Sequence, residues 1–142
     1  MSPTADDLVA RSRRHIGRPR PEQLADVSAV GGLIVDIRPA AQRSDQGELP
    51  GAVVVERNVL EWRLDPIGSH RLPQVTGFDQ PVVVVCSEGF ASSLAADSLR
   101  ILGYRQVTDL VGGYRAWSAW AQGSPDPSPG SEQADPSALS SR

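Results

Sequence analysis

Cys86 is the single cysteine among 142 residues, and its thiolate would be the strongest nucleophile the side chains of this chain can offer at neutral pH. It follows the run Val82-Val83-Val84-Val85 and opens the segment Cys86-Ser87-Glu88-Gly89-Phe90-Ala91-Ser92-Ser93-Leu94. The four valines are β-branched and apolar, as expected of a buried strand, and the residues from Ser92 to Leu102 read as a helix stopped by Gly103. A thiol between the carboxyl end of a strand and the amino end of a helix lies where open α/β sheets collect ligands. Unpaired backbone N–H groups and the helix dipole stabilise an anion there by about 0.3–2 kcal/mol, which favours the reactive thiolate. Gly89 lets the loop curl around such an anion. A free cysteine is commonly only a small buried hydrophobe, so it is placement that points Cys86 toward chemistry. Without a second cysteine there is no internal disulfide, no thiolate metal cage and no resolving thiol, so any sulfur species on Cys86 must be attacked from outside the chain.

The elements that must position this loop are short. Pro21 to Val27 reads as a helix ending at Gly31-Gly32, and Leu33-Ile34-Val35-Asp36-Ile37 as a strand stopped before Pro39. Ala52 to Val55, after the Pro50-Gly51 turn, and Gln106 to Leu110 read as further strands, and Gly112-Gly113 opens a last helix through Trp120. Continuous apolar strands separated by helical stretches predict an α/β fold, a parallel sheet buried by helices on both faces. Residues 1–20 read as an N-terminal extension with a marginal helix over Asp6 to Ile16, residues 21–122 as the domain, and 123–142 as a disordered tail. That last stretch holds six Ser, four Pro and two Gly, with Leu139 its one large aliphatic.

Composition removes several function classes. The longest aliphatic run is Val82 to Val85, far below the roughly 20 residues of a membrane helix, and no apolar segment marks the amino terminus as a secretory signal. A cytoplasmic protein is the expectation. The net charge is −3, and residues 22–122 hold eight Arg against twelve acidic residues, which argues against a nucleic-acid surface. All the basic residues are Arg, a composition bias without mechanistic content.

Asp36-Ile37-Arg38-Pro39, Pro50-Gly51-Ala52, the Cys86 loop and Leu110-Val111-Gly112-Gly113-Tyr114-Arg115-Ala116-Trp117 together resemble the rhodanese-like sulfurtransferase family, in its order and spacing, over residues 21–122. The resemblance implies a five-stranded parallel sheet and a Cys86 that accepts sulfane sulfur as a persulfide and passes it on. It implies a loop of Ser87, Glu88, Gly89, Phe90, Ala91 and Ser92 that cradles the persulfide through backbone N–H groups. The partners implied are a small-molecule sulfur donor and a thiol or cyanide-like acceptor, with delivery by a partner protein as an alternative; no cofactor and no metal are expected. The chain departs from the family at Ala91, where a donor side chain is frequent, at Glu48 and Gln42, and at Glu88, whose charge has the wrong sign for a thiosulfate dianion. Ser87, Ser92 or Ser93 could supply the missing donor to sulfur, unless Ser92 is a plain helix cap.

Asp36 and Arg38 are expected to fix neighbouring loops, and Arg57 to be a cationic contact for an anionic sulfur group or a solvated surface charge. Trp117 and Trp120, three residues apart, read as a packing face. Two other functions compete. A cysteine phosphatase with Cys-x5-Arg would need a guanidinium where Ser92 stands, and so lacks its bidentate phosphoryl partner. A non-catalytic rhodanese-like interaction or regulatory module would keep the fold without turnover.

Overall fold

The computed structural model describes residues 2–123, so the expected tail from 124 onward lies outside the described residues. The element order is α1 (Ala5–Arg13), α2 (Leu24–Ala29), β1 (Leu33–Asp36), α3 (Ala40–Gln46), β2 (Val53–Val54), α4 (Leu60–Leu64), β3 (Val82–Val85), α5 (Ala91–Leu102), β4 (Val107–Asp109) and α6 (Gly113–Ala121). Short 3-10 turns at Pro21–Gln23 and Arg57–Val59 precede α2 and α4.

All strand pairs are parallel, in the order β2-β1-β3-β4, with Leu33 opposite Val82 and Asp36 opposite Val85. The sheet has four strands rather than the expected five. The fifth position is occupied by Gly17–Pro19 running beside β4: Gly17 bridges Thr108, the Asp109 amide donates to the Gly17 carbonyl at 3.3 Å, and the Val111 amide to the Pro19 carbonyl at 3.0 Å. Pro19 and Pro21 have no N–H to return, so the segment accepts without forming a ladder. β2 also departs from the expectation of two buried faces, since Val54 is exposed on a two-residue edge strand.

Alternation along β3 divides the core. Val82, Val84 and Cys86 face Leu60, Leu64, Ala95, Ala96, Leu99 and Tyr104, whereas Val83 and Val85 face Leu24, Ile34, Leu49, Leu110 and Tyr114. Val82, Val84 and Val85 are fully buried, each worth about 1.5–2 kcal/mol in surface removed from water. Cys86 therefore points toward the α4 and α5 side. Trp117 packs on Tyr114 with ring centroids 5.7 Å apart, while Trp120 remains half-exposed.

The extension is structured. Thr4 caps α1 in a reciprocal box with Asp7, whose carboxyl is held below its ordinary value by the Thr4 backbone and hydroxyl hydrogen bonds. Val9 and Ser12 are buried where α1 packs on α5, and the Ser12 hydroxyl reaches Asp97 at 3.3 Å. Among the described residues no helix is long and apolar enough to cross a membrane.

Candidate active site

Cys86 follows directly on β3, and the first turn of α6 clamps the loop it opens. The Tyr114 amide donates to the Cys86 carbonyl at 2.8 Å and the Arg115 amide to the Ser87 carbonyl at 3.1 Å. Gly113 permits this approach: its φ is +63°, and a Cβ there would stand 2.5 Å from the Cys86 oxygen. Gly89, at φ +90°, makes the tight bend of the loop itself, and a Cβ there would meet the Gly112 nitrogen at 2.9 Å.

Cys86 is 4% exposed, and its sulfur faces three groups. Gly89 N–H donates to Sγ at 3.1 Å and Ser92 N–H, in the first turn of α5, at 3.3 Å; the thiol proton points to Ser92 Oγ at 3.2 Å. Two backbone donors thus converge where the helix dipole is positive, an arrangement that accommodates an anion on or next to Sγ. Ser92 is not the helix cap. Phe90 occupies that position without a side-chain bond, and the Ser92 hydroxyl donates to Asp109 Oδ2 at 2.8 Å.

The remaining loop residues are tied to neighbours. Ser87 Oγ accepts from Gln46 Nε2 at 2.9 Å, and Gln46 Oε1 accepts from Arg38 Nη1 at 3.2 Å. Arg38 is bound to Asp36 through Nη2 at 2.7 Å, both side chains buried, and lies over the Tyr114 ring at 3.9 Å. Asp36 and Arg38 thus reach the loop through Gln46 and through the Tyr114 ring, and touch the sulfur by neither route. Glu88 is 7% exposed and its carboxylate accepts from Arg115 Nη1 at 2.6 Å. The field at this point is that of an ion pair, in place of the lone carboxylate expected from sequence. Phe90 lies beneath the Arg13 guanidinium at 5.4 Å. Ala91 is the one exposed residue between Cys86 and Ser92.

Arg57 sits at the surface, where its guanidinium pairs with Glu61 at 3.0 Å one turn on. Burial pushes the Glu61 carboxyl up, but hydrogen bonds from Ser98 and its own backbone and the Arg57 charge outweigh this and hold it below its ordinary value. The structure gathers Cys86, Gly89 and Ser92 about the sulfur and does not bring Arg57 into that group. Sequence reasoning missed Gln46, Asp109, Arg115 and the two extension arginines Arg13 and Arg18; Ser93, a candidate donor to sulfur, instead donates to Asp109. The one available signal was Asp109 itself, an acid inside the predicted strand Gln106 to Leu110, which demands a buried partner.

The sequence profile of the rhodanese-like domain matches residues 20–119. The chain belongs to the rhodanese-like domain family. Among its relatives, the thiosulfate sulfurtransferase GlpE of Pseudoalteromonas translucida is 30% identical over 108 residues, covering 75% of this chain and 90% of that one. The adenylyltransferase and sulfurtransferase UBA4 of Candida albicans is 35% identical over 86 residues; these cover 61% of this chain and 19% of that longer protein. Among solved structures, a Rhodopseudomonas palustris protein of unknown function, described as a possible tyrosine phosphatase, superposes with a TM-score of 0.75. Its identity is 26%, over 89% of this chain and 96% of that one. In this rhodanese-like domain α1 and Arg18 precede the matched region, yet Arg18 Nε binds Asp109 Oδ1 at 2.9 Å with both side chains buried.

Proposed function

We propose that this protein is a sulfurtransferase in which Cys86 carries sulfane sulfur as a persulfide from a small-molecule donor to a thiol or cyanide-like acceptor. The observation that carries this reading is the pair of backbone donors, Gly89 and Ser92, aimed at Sγ from a strand end and a helix start. In the loading step the Sγ thiolate attacks the outer sulfur of the donor, an S–S bond forms, and the donor's old bond to that sulfur breaks with its electron pair leaving on the donor remnant. In the unloading step the acceptor attacks the outer sulfur and Sγ departs as the thiolate. No net oxidation is required, and the loop amides serve the anion in both halves.

The names of the GlpE and UBA4 relatives support the same class of reaction. The phosphatase description of the Rhodopseudomonas protein finds no support in these side chains, because Ser92 stands where Cys-x5-Arg needs a guanidinium and its hydroxyl is engaged by Asp109. Thiosulfate is a workable donor to the extent that Arg115 offsets Glu88. The deciding experiment incubates the protein with thiosulfate or an organic persulfide and maps the mass of the Cys86 peptide. Gain of one sulfur atom, removed by cyanide, is the expected result. An unmodified Cys86 with every donor would leave a non-catalytic interaction module as the reading.

A further inference from the structure

Asp109 ends β4 with its side chain wholly buried. Its Oδ2 accepts from the Ser92 hydroxyl at 2.8 Å, the Ser93 hydroxyl at 2.9 Å and Arg18 Nη2 at 3.3 Å, while Oδ1 takes Arg18 Nε at 2.9 Å. Ser92 Oγ in turn accepts the Cys86 thiol proton at 3.2 Å. The bonds run one way, thiol to hydroxyl to carboxylate, and a guanidinium anchors the far end.

A serine hydroxyl has a single proton to give. While it goes to Asp109, only a lone pair faces Sγ, which suits S–H and opposes the sulfur anion. Rotated, the same hydroxyl becomes a third donor to sulfur beside the Gly89 and Ser92 amides. Asp109 can release it, because Ser93 and Arg18 still satisfy the carboxylate.

We propose that Arg18 and Asp109 form a positioning pair that sets the ionisation of Cys86 through the Ser92 hydroxyl, which makes the N-terminal extension a working part of the sulfur site. The proposal rests on Cys86 being the sulfur carrier. On ionisation the thiol proton passes to the buffer, the Ser92 O–H turns from Asp109 to Sγ, and no bond between heavy atoms changes. The extension acts on the loop backbone as well. Arg13 Nη2 and Arg18 Nη2 hold the Gly89 carbonyl at 2.7 and 3.1 Å, and in a trans peptide this turns the Phe90 N–H the opposite way. The other charges around the loop are Glu88 with Arg115, Asp36 with Arg38, and Arg13, which also binds Ser93 Oγ. Each of the first two is an ion pair in itself, so its fields largely cancel at Sγ.

The test is the pH profile of Cys86 alkylation by iodoacetamide, in which the thiolate displaces iodide, on the full chain. Asp109→Asn and Arg18→Gln break the same buried ion pair, and both lower the melting temperature. Asp109→Asn removes a negative charge and frees the hydroxyl, so the midpoint falls; Arg18→Gln removes a positive charge, so it rises. The Asp109→Asn shift is about one pH unit, the size a charge within roughly 4–6 Å produces, and the Arg18→Gln shift is smaller because the guanidinium lies beyond the carboxylate. In a Ser92→Ala background the Asp109→Asn shift is less than half as large, because the coupling residue is gone. Should Asp109→Asn not fold, Arg18→Lys replaces it, and its profile stays near wild type while that of Arg18→Gln does not. Shifts of the same sign, or unchanged profiles with lowered melting temperatures, overturn the proposal. Sulfur loading measured on the same proteins separates the two questions: opposite shifts with no sulfur on wild-type Cys86 would uphold the pair and remove the carrier role.

Discussion

Two buried ion pairs hold the Cys86 loop from opposite flanks, and they do different work. Asp36 and Arg38 are two residues apart at the end of β1, and their influence ends on the Ser87 hydroxyl by way of Gln46. Arg18 and Asp109 are 91 residues apart, brought together only by the folding of the extension along β4, and their influence ends on the Ser92 hydroxyl at the sulfur. The same pairing chemistry thus yields a brace on one side and a contact with the Cys86 sulfur on the other. What distinguishes them is the last group in each chain of hydrogen bonds.

The largest effect comes from removing the atom on which the difference turns. Cys86→Ser is expected to abolish sulfur loading and transfer, since oxygen cannot carry a persulfide, with an unaltered circular dichroism spectrum. Residual transfer at the wild-type rate would make the contrast between the flanks irrelevant to chemistry. Next in size is the brace itself. Arg38→Ala strands a buried Asp36 carboxylate and is expected to cost about 3–5 kcal/mol in urea unfolding, whereas Asp36→Val combined with Arg38→Leu recovers most of that loss. Transfer per folded molecule should survive in the double variant; its loss would show that the Asp36 side also reaches the sulfur.

A smaller effect is expected at the loop mouth, where Ala91 is exposed. Ala91→Arg adds attraction of about 1 kcal/mol for each unit of donor charge at 4 Å in water. For the thiosulfate dianion, at about 2 kcal/mol, this raises kcat/KM by roughly thirtyfold at low salt, by the usual tenfold per 1.4 kcal/mol, and much less for a neutral donor. Equal gains for both donors would place the Arg side chain outside the approach path.

The strands and the loop were legible because their signals are local. Val82 to Val85, the Gly112-Gly113 turn and the Ala91–Leu102 helix each carry their own apolar pattern and stop residue. Helix α3 has no buried residue and therefore no periodicity to read, while α4 offered only Leu60 and Leu64, both fully buried, in too short a run. The site was legible at Cys86 and its loop amides and illegible at Asp109 and Arg18, because a contact between distant segments is a property of topology. Glu88 failed for a related reason: its charge is visible in sequence and its Arg115 partner is not.

The smallest predicted effect lies away from both flanks and serves as a control on them. The Tyr104 hydroxyl donates to the Leu64 carbonyl at 2.6 Å, and burial together with the Asp65 charge pushes its phenol up from 10.0 to about 12. The unfolded chain loses this proton first, so stability is full below pH about 10 and falls as the pH rises toward 12. Tyr104→Phe should remove that alkaline decline in unfolding free energy without touching alkylation of Cys86. A decline of the same size in the variant would assign it to other groups.

The proline-flanked strap beside β4 has a consequence for encounters between copies of the molecule. A parallel sheet with an open rim is a template on which a second chain can add a strand. Here one rim is covered by Gly17–Pro19, where Pro19, like Pro21 just beyond it, offers no amide for continuation, and the other rim is β2, two residues long and preceded by Pro50. Among the described residues neither border offers a long unpaired strand on which a neighbour could extend a ladder. Crowded solutions of this protein should therefore resist sheet-to-sheet polymerisation, and its buried thiol stays clear of the ordered aggregates that such growth would build.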